Sequence, residues 1–276
     1  MTKLRIISKQ KTKNIILGTI LLLFLIVYLF PVLWMIRASF LPRLEAFYLG
    51  LSLNLTLDNY LNILKGSFLQ NILNSFIIST FTVILSLCFS LPASYAFSRF
   101  NFTRKDDLYF FFLTIRMAPA VAFVLPYYIM YTTLGLFDTY HGMVIVQSIA
   151  NVPLSIWLLK GFIDAIPKEV EEAAMVDGCS RSGVILRITL PLLAPAIVIT
   201  GTLVFLFVWN EFFYAMILTR SVAQPFTVVL PVLLGRVKLK WEEMCAAATV
   251  VSIIPIILTI VTRKYLIKGL GLGLRI

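Results

Sequence analysis

Six apolar runs constrain this chain more than any other feature. They lie at residues 15–36, 71–97, 108–131, 143–163, 193–218 and 246–266. A helix needs about 20 apolar residues to cross about 30 Å of hydrocarbon, and each run is long enough. The expected fold class is therefore an all-α membrane protein with six transmembrane helices. Composition excludes the alternatives: 60% of the residues are apolar and 13% charged, against about 45–50% and about 25% in soluble domains. The first run follows a basic head, Lys3, Arg5, Lys9, Lys11 and Lys13. It is too long for a signal-peptide core, and no small-residue cleavage site ends it. Pro92, Pro119, Pro126, Pro153, Pro195, Gly201 and Pro255 fall inside the runs. They read as kinks rather than ends, since neighbouring helices can re-satisfy the freed backbone groups.

The basic residues set the orientation. With the N-terminus inside, 16 of the 24 Lys and Arg lie on the cytoplasmic side, 7 outside, and Arg116 within a span. This asymmetry places both termini in the cytoplasm. The last outer loop, with Arg220, Arg236, Lys238 and Lys240, is a local exception. The net charge of +11 is thus a topology signal and does not point to nucleic acid. Cys88, Cys179 and Cys245 form no ligand spacing and read as small apolar residues. His141 is the single histidine, so no metal site is expected. The expected organisation is a basic cytoplasmic head at 1–14, a transmembrane domain at 15–266 and a cytoplasmic tail at 267–276.

The largest cytoplasmic piece contains the segment 164–191, DAIPKEVEEAAMVDGCSRSGVILRITLP. Pro167 suits a first helical position. Glu169, Glu171 and Glu172 complement the positive end of a helix dipole. Gly178 suits the left-handed turn that stops a helix, and Ser180 can cap a second helix ending near Pro191. The spacing puts Val170, Ala173, Ala174 and Asp177 on one face. Two alanines there make a flat surface that a partner can approach closely, with Glu172 as an ion-pair handle. The competing reading is an interfacial amphipathic helix, which would favour Lys and Arg over a bulky apolar face.

Glu172-Ala173-Ala174, Gly178 and, nine residues on, Ile188-x-Leu190-Pro191 resemble the EAA motif of ABC importer permeases. Asp177-Gly178 is also similar to that family's usual pair, and Cys179 departs mildly from its small residue. The resemblance extends from about residue 50 onward. Leu57-Asp58-Asn59-Tyr60, Asn74-Ser75, Ser94-Tyr95-Ala96-Phe97-Ser98-Arg99, Leu134-Gly135-Leu136-Phe137-Asp138-Thr139, Trp209-Asn210-Glu211-Phe212 and Arg263-Lys264-Tyr265-Leu266-Ile267-Lys268-Gly269-Leu270 resemble the second permease of maltose-type carbohydrate importers. The resemblance implies a type I ABC importer permease in a bacterial cell membrane, forming half of a sugar path. It implies a second permease, two ATP-binding subunits that hold ATP and Mg, and an extracytoplasmic sugar-binding protein. Glu172, Ala173, Ala174, Asp177 and Gly178 would be the ATPase-coupling residues. The chain itself is expected to hold no cofactor and to be no enzyme. It has no Gly-Lys dipeptide, hence no Walker A loop.

Polar residues inside the runs are candidates for the solute path. Glu211 is the one acidic residue well inside a run, where a charge costs roughly 2.5–3.5 kcal/mol, so it should face a cavity or a partner. Asn210 and Trp209 adjoin it. Gln147, Ser148, Asn151 and Ser155 form a single polar stripe. Asn210, Glu211, Gln147 and Asn151 are therefore candidate path residues, with helix–helix hydrogen bonding as the alternative. Arg116 and Glu211 differ in depth by about 13 Å at 1.5 Å per residue. They are not expected to pair, and Arg116 is expected to snorkel or to bind a carbonyl at the Pro119 kink. An ABC permease for a polyamine or peptide, a stand-alone carrier and a membrane-embedded enzyme remain as alternative functions.

Overall fold

The structure, a computed structural model, describes residues 2–46, 54–232 and 240–273, with side chains described only between residues 14 and 265. The side chains of residues 1–13, of Arg236 and Lys238 and of the whole tail at 267–276 lie outside the described residues. All regular structure among the described residues is helical.

The chain divides into two units, Met1–Gly66 with Leu233–Val251, and Ser67–Val232 with Ser252–Ile276. The first contains α1 (Thr2–Ser39), α2 (Arg43–Ala46), α3 (Asp58–Lys65) and the start of the last helix. Most of the apolar side chains of α1 are exposed, as suits a helix whose solvent is lipid. Its end is fixed by Asn59, which is buried and donates to the carbonyls of Ser39 and Leu41, both at 2.9 Å. Tyr60 adds a hydroxyl contact of 2.6 Å to Ser39 and an aromatic contact to Phe40. The Asp58-Asn59-Tyr60 string thus satisfies carbonyls that the end of α1 leaves open.

The second unit is built around α4 (Phe68–Arg99), α7 (Tyr140–Asp164) and α10 (Leu190–Trp209). Ser75, Ser79, Thr82, Ser86, Ser90, Ser94 and Ser98 recur along α4 every three or four residues, and all are buried. Small side chains let helices come close where no hydrophobic effect separates them from lipid. Accordingly α4 packs most extensively against α7 and next against α10. At Gly201 of α10 an added Cβ would stand 3.3 Å from Val83 and 3.5 Å from Leu87 of α4.

The third run differs from the expectation of one kinked span. It forms α5 (Lys105–Met117) and α6 (Ala120–Thr133), bent by 89° at the break. Pro119 disfavours helical backbone at Ala118. Both residues are extended, with ψ of 134° and 127°. The prolines at 92, 126, 153, 195 and 255 stay inside helices. The fifth run also differs at both ends. A helical stretch begins at Arg181 as α9 (Arg181–Val184), passes through a π turn at Ile185–Thr189 and continues as α10 to Trp209. The helix capped by Ser180 therefore does not end near Pro191: the π turn at Ile185–Thr189 lies just before the proline, and the helix runs on past it. Asn210 and Glu211 are consequently not inside a helix. They sit at the break before α11 (Phe213–Leu218), which is followed by α12 (Phe226–Val229) and α13 (Trp241–Gly273). By length and composition five described helices can cross a membrane, or six with the bent pair counted as one span.

Candidate functional site

Between α7 and α9 the chain forms α8 (Lys168–Val176), starting one residue after Pro167. Gly178 stops it with φ of +89°. The amide of Gly178 donates to the Met175 carbonyl at 3.1 Å and that of Cys179 to Ala174 at 3.0 Å, a Schellman closure that needs the left-handed residue. The Ser180 hydroxyl then accepts from the Gly183 amide at 3.2 Å and starts α9.

The expected docking face is only partly available. Val170, Glu172, Ala173, Asp177 and Gly178 are exposed, but Ala174 is buried. The two alanines differ by 100° around the helix, so Ala174 turns inward while Ala173 remains outside. Ala174 shares the inward side with Glu171, which is 5% exposed.

Glu171 anchors α8. Its Oε1 accepts from Arg99 Nε at 3.2 Å and from the Thr189 hydroxyl at 3.1 Å; its Oε2 accepts from Tyr95 at 3.1 Å. Arg99 also donates to the Ile166 carbonyl at 2.8 Å. One carboxylate thus joins α8 to the end of α4 and to the π turn that leads into α10. Ser98 and Lys160 share Asp164 nearby, at 2.5 and 2.6 Å. Sequence reasoning assigned Glu171 only to the helix dipole. The available signal was the spacing of Tyr95 and Arg99, one turn apart at the end of an apolar run.

At the opposite ends of these helices a second cluster holds the loop after α11. Asp138 has φ of 56° and accepts backbone amides from Arg220, Ser221, Val222 and Ala223 at 2.9 to 3.2 Å. Burial opposes its charge, but these amides outweigh burial and hold the carboxyl below its ordinary range. Asn71 and Asn74 of α4 donate to the carbonyls of Gln224 and Val222. Ser75 accepts from the Phe226 amide.

The candidate path residues do not converge on an open cavity. Gln147, Ser148, Asn151 and Ser155 are all buried. Gln147 donates to Glu211 Oε2 at 2.7 Å, and Glu211 caps α11 by accepting the amides of Tyr214 and Ala215 at 2.8 and 3.2 Å. Asn151 and Ser155 donate to carbonyls one turn back, those of Gln147 and Asn151. Asn210 is exposed and donates to Leu206 at 2.7 Å. Arg116 makes no ion pair with Glu211. It donates to a carbonyl, but that of Ala150 on α7 at 2.7 Å and not one at Pro119. α7 packs beside α5 and brings that carbonyl within reach of the guanidinium. Among the described residues no His, Cys, Asp and Glu cluster suits a metal ion.

Residues 86–271 match the family described as "Binding-protein-dependent transport system inner membrane component". The chain is 32% identical to the trehalose/maltose transport system permease protein MalG of Thermococcus litoralis, over 94% of this chain and 95% of that one. It is 32% identical to the arabinooligosaccharides transport system permease protein AraQ of Halalkalibacterium halodurans, over 88% and 90%. In fold it is similar to a chain of a bacterial ABC transporter involved in import of the acidic polysaccharide alginate, with a TM-score of 0.78, 24% identity and coverage of 92% and 96%. The helical spans, the capped α8 and these matches together place the chain in the binding-protein-dependent family of ABC transporter permeases, which are multi-pass membrane transport subunits and not enzymes.

Proposed function

We propose that this chain is one permease of an ATP-driven sugar importer and that α8 carries the stroke of a partner ATPase into the spans. The relatives that match nearly end to end and are named for trehalose, maltose and arabinooligosaccharides support the sugar class. The observation that carries the coupling reading is the division of labour on α8. Exposed Glu172, Ala173 and Asp177 offer a small-residue surface with acidic handles, while buried Glu171 ties the same helix to α4 and the π turn. A push on the outer side is thereby delivered to two spans. Ala174 supports the surface from within, and Gly178 sets the turn.

The complete importer in this reading has a second permease, two ATP-binding subunits that hold ATP and Mg, and an external sugar-binding protein. Both termini lie in the cytoplasm of a bacterial cell. Ala173→Trp places a large ring where close approach is needed, an overpacking that costs typically 1–3 kcal/mol. Gly178→Val forces a β-branched residue into positive φ. In the assembled complex both variants release the ATPase and abolish sugar uptake while the spans stay folded. Retention of the ATPase with normal uptake in both variants refutes the coupling role.

A further inference from the structure

Beside the break in the third span lies a cavity of about 280 Å³ between α5, α6 and α7, with Tyr214 of α11 in its wall. Arg116 lines it from the last turn of α5, together with Phe123 and Tyr127 of α6 and Ile149 of α7. A guanidinium carries five N–H donors. Among the described residues only its NH1 is used, for the Ala150 carbonyl and, at 3.3 Å, for Asn151 Oδ1. The guanidinium lies over the Phe207 ring at 5.1 Å. The remaining donors meet no carboxylate among the described residues. Tyr127 and Tyr214 stand edge to face at 5.9 Å, and neither hydroxyl has a hydrogen-bond partner among the described residues.

This arrangement differs from the Gln147–Glu211 cluster, whose polar atoms are consumed by one another. The cavity instead offers an anchored cation with spare donors, two unpaired hydroxyls and aromatic walls. The exposed side chains of α5 and α6 are otherwise mostly apolar, Phe111, Val121 and Leu125 among them. An acyl chain leaves those donors unpaired, whereas a ring carrying several oxygens satisfies them and stacks on the tyrosines. The volume is near the lower end of ligand cavities, roughly 300 Å³, which fits a single ring unit and not a chain.

We infer that this cavity is where the chain contacts its cargo, holding one sugar ring through Arg116, Tyr127 and Tyr214. The inference rests on the sugar-importer reading above. The test uses the assembled importer with its partner subunits and binding protein in proteoliposomes, with Cys88, Cys179 and Cys245 replaced by serine. Ile149→Cys supplies a reporter in the cavity wall, with Ala120→Cys as a second reporter should the first fail to assemble. N-ethylmaleimide labelling is timed during ATP turnover, with a panel of neutral and acidic sugars that includes trehalose, maltose and arabinooligosaccharides. The transported sugar should slow labelling at least fivefold, and a sugar that is not transported should leave it unchanged. Tyr127→Phe with Tyr214→Phe should lower sugar moved per ATP at least threefold at unchanged thermal stability of the complex. Transport of a sugar with unaltered labelling and unaltered sugar per ATP overturns the cavity assignment alone. Transport of no sugar in the panel overturns the sugar reading and this inference with it.

Discussion

Replacing Glu171 by alanine leaves the Arg99 guanidinium, whose side chain is only 8% exposed, without its counter-charge. It also strips the Tyr95 and Thr189 hydroxyls of their acceptor. Breaking a buried ion pair from one side costs about 3–5 kcal/mol, because the surviving charge stays desolvated. Arg99 retains the Ile166 carbonyl, which favours the lower end of that range. The loss falls on α8 and not on the spans, since α8 buries only Glu171 and Ala174, and weakly buried elements open locally. At 1.4 kcal/mol per factor of ten, about 3 kcal/mol raises the open population roughly 10²-fold. Hydrogen exchange on the purified complex should therefore quicken about 10²-fold at the amides of residues 172–178, with α4 and α7 unchanged. ATP hydrolysis should continue while sugar uptake per ATP falls. The double variant Glu171→Leu with Arg99→Leu should regain much of the protection, because removing both charges removes the uncompensated one. Wild-type exchange in Glu171→Ala, or no recovery in the double variant, refutes the claim that this ion pair seats α8.

Other measurements address the opposite end and the topology. The Asp138 carboxyl sits below the ordinary value of 3.8, so its contribution is fully present above that value and is lost as the pH falls through the lower folded one. Exchange at residues 220–223 should be slow at neutral pH and rise below about pH 4, and Asp138→Asn should raise it at pH 7; flat exchange in both cases removes Asp138 as the anchor. Glu211→Gln keeps an acceptor for the Tyr214 amide but removes the charge, so it should lower the melting temperature of the complex by a few degrees, with little change in sugar per ATP. A loss of transport at full stability would instead return Glu211 to the solute path. A membrane-impermeant maleimide added outside cells should modify His141→Cys and spare Val176→Cys in a background free of other cysteines. Labelling of Val176→Cys alone reverses the topology.

The sequence alone determined the class and much of the outline. Apolar runs long enough to cross a bilayer leave little choice but helices, since lipid offers no partner to an open backbone. Gly178 and Ser180 announced the turn after α8 because capping is local chemistry, settled within a few residues. The string around Glu172 carried the family because its spacing is linear. The tertiary structure decided what depends on neighbours remote in sequence. Pro119 ends a helix while Pro126 and Pro153 do not, a difference set by what surrounds each freed backbone group and not by the proline itself. Glu171 and Glu172 are adjacent and chemically identical, yet one is buried under Arg99 and the other is exposed, because α4 passes on one side only. Glu211 had to face a cavity or a partner, and only packing shows that Gln147, 64 positions away, and the start of α11 hydrogen-bond to it. Arg116 looked like a residue that would satisfy itself nearby. Packing against α7 uses one of its nitrogens and leaves the rest facing a cavity that no linear spacing could reveal.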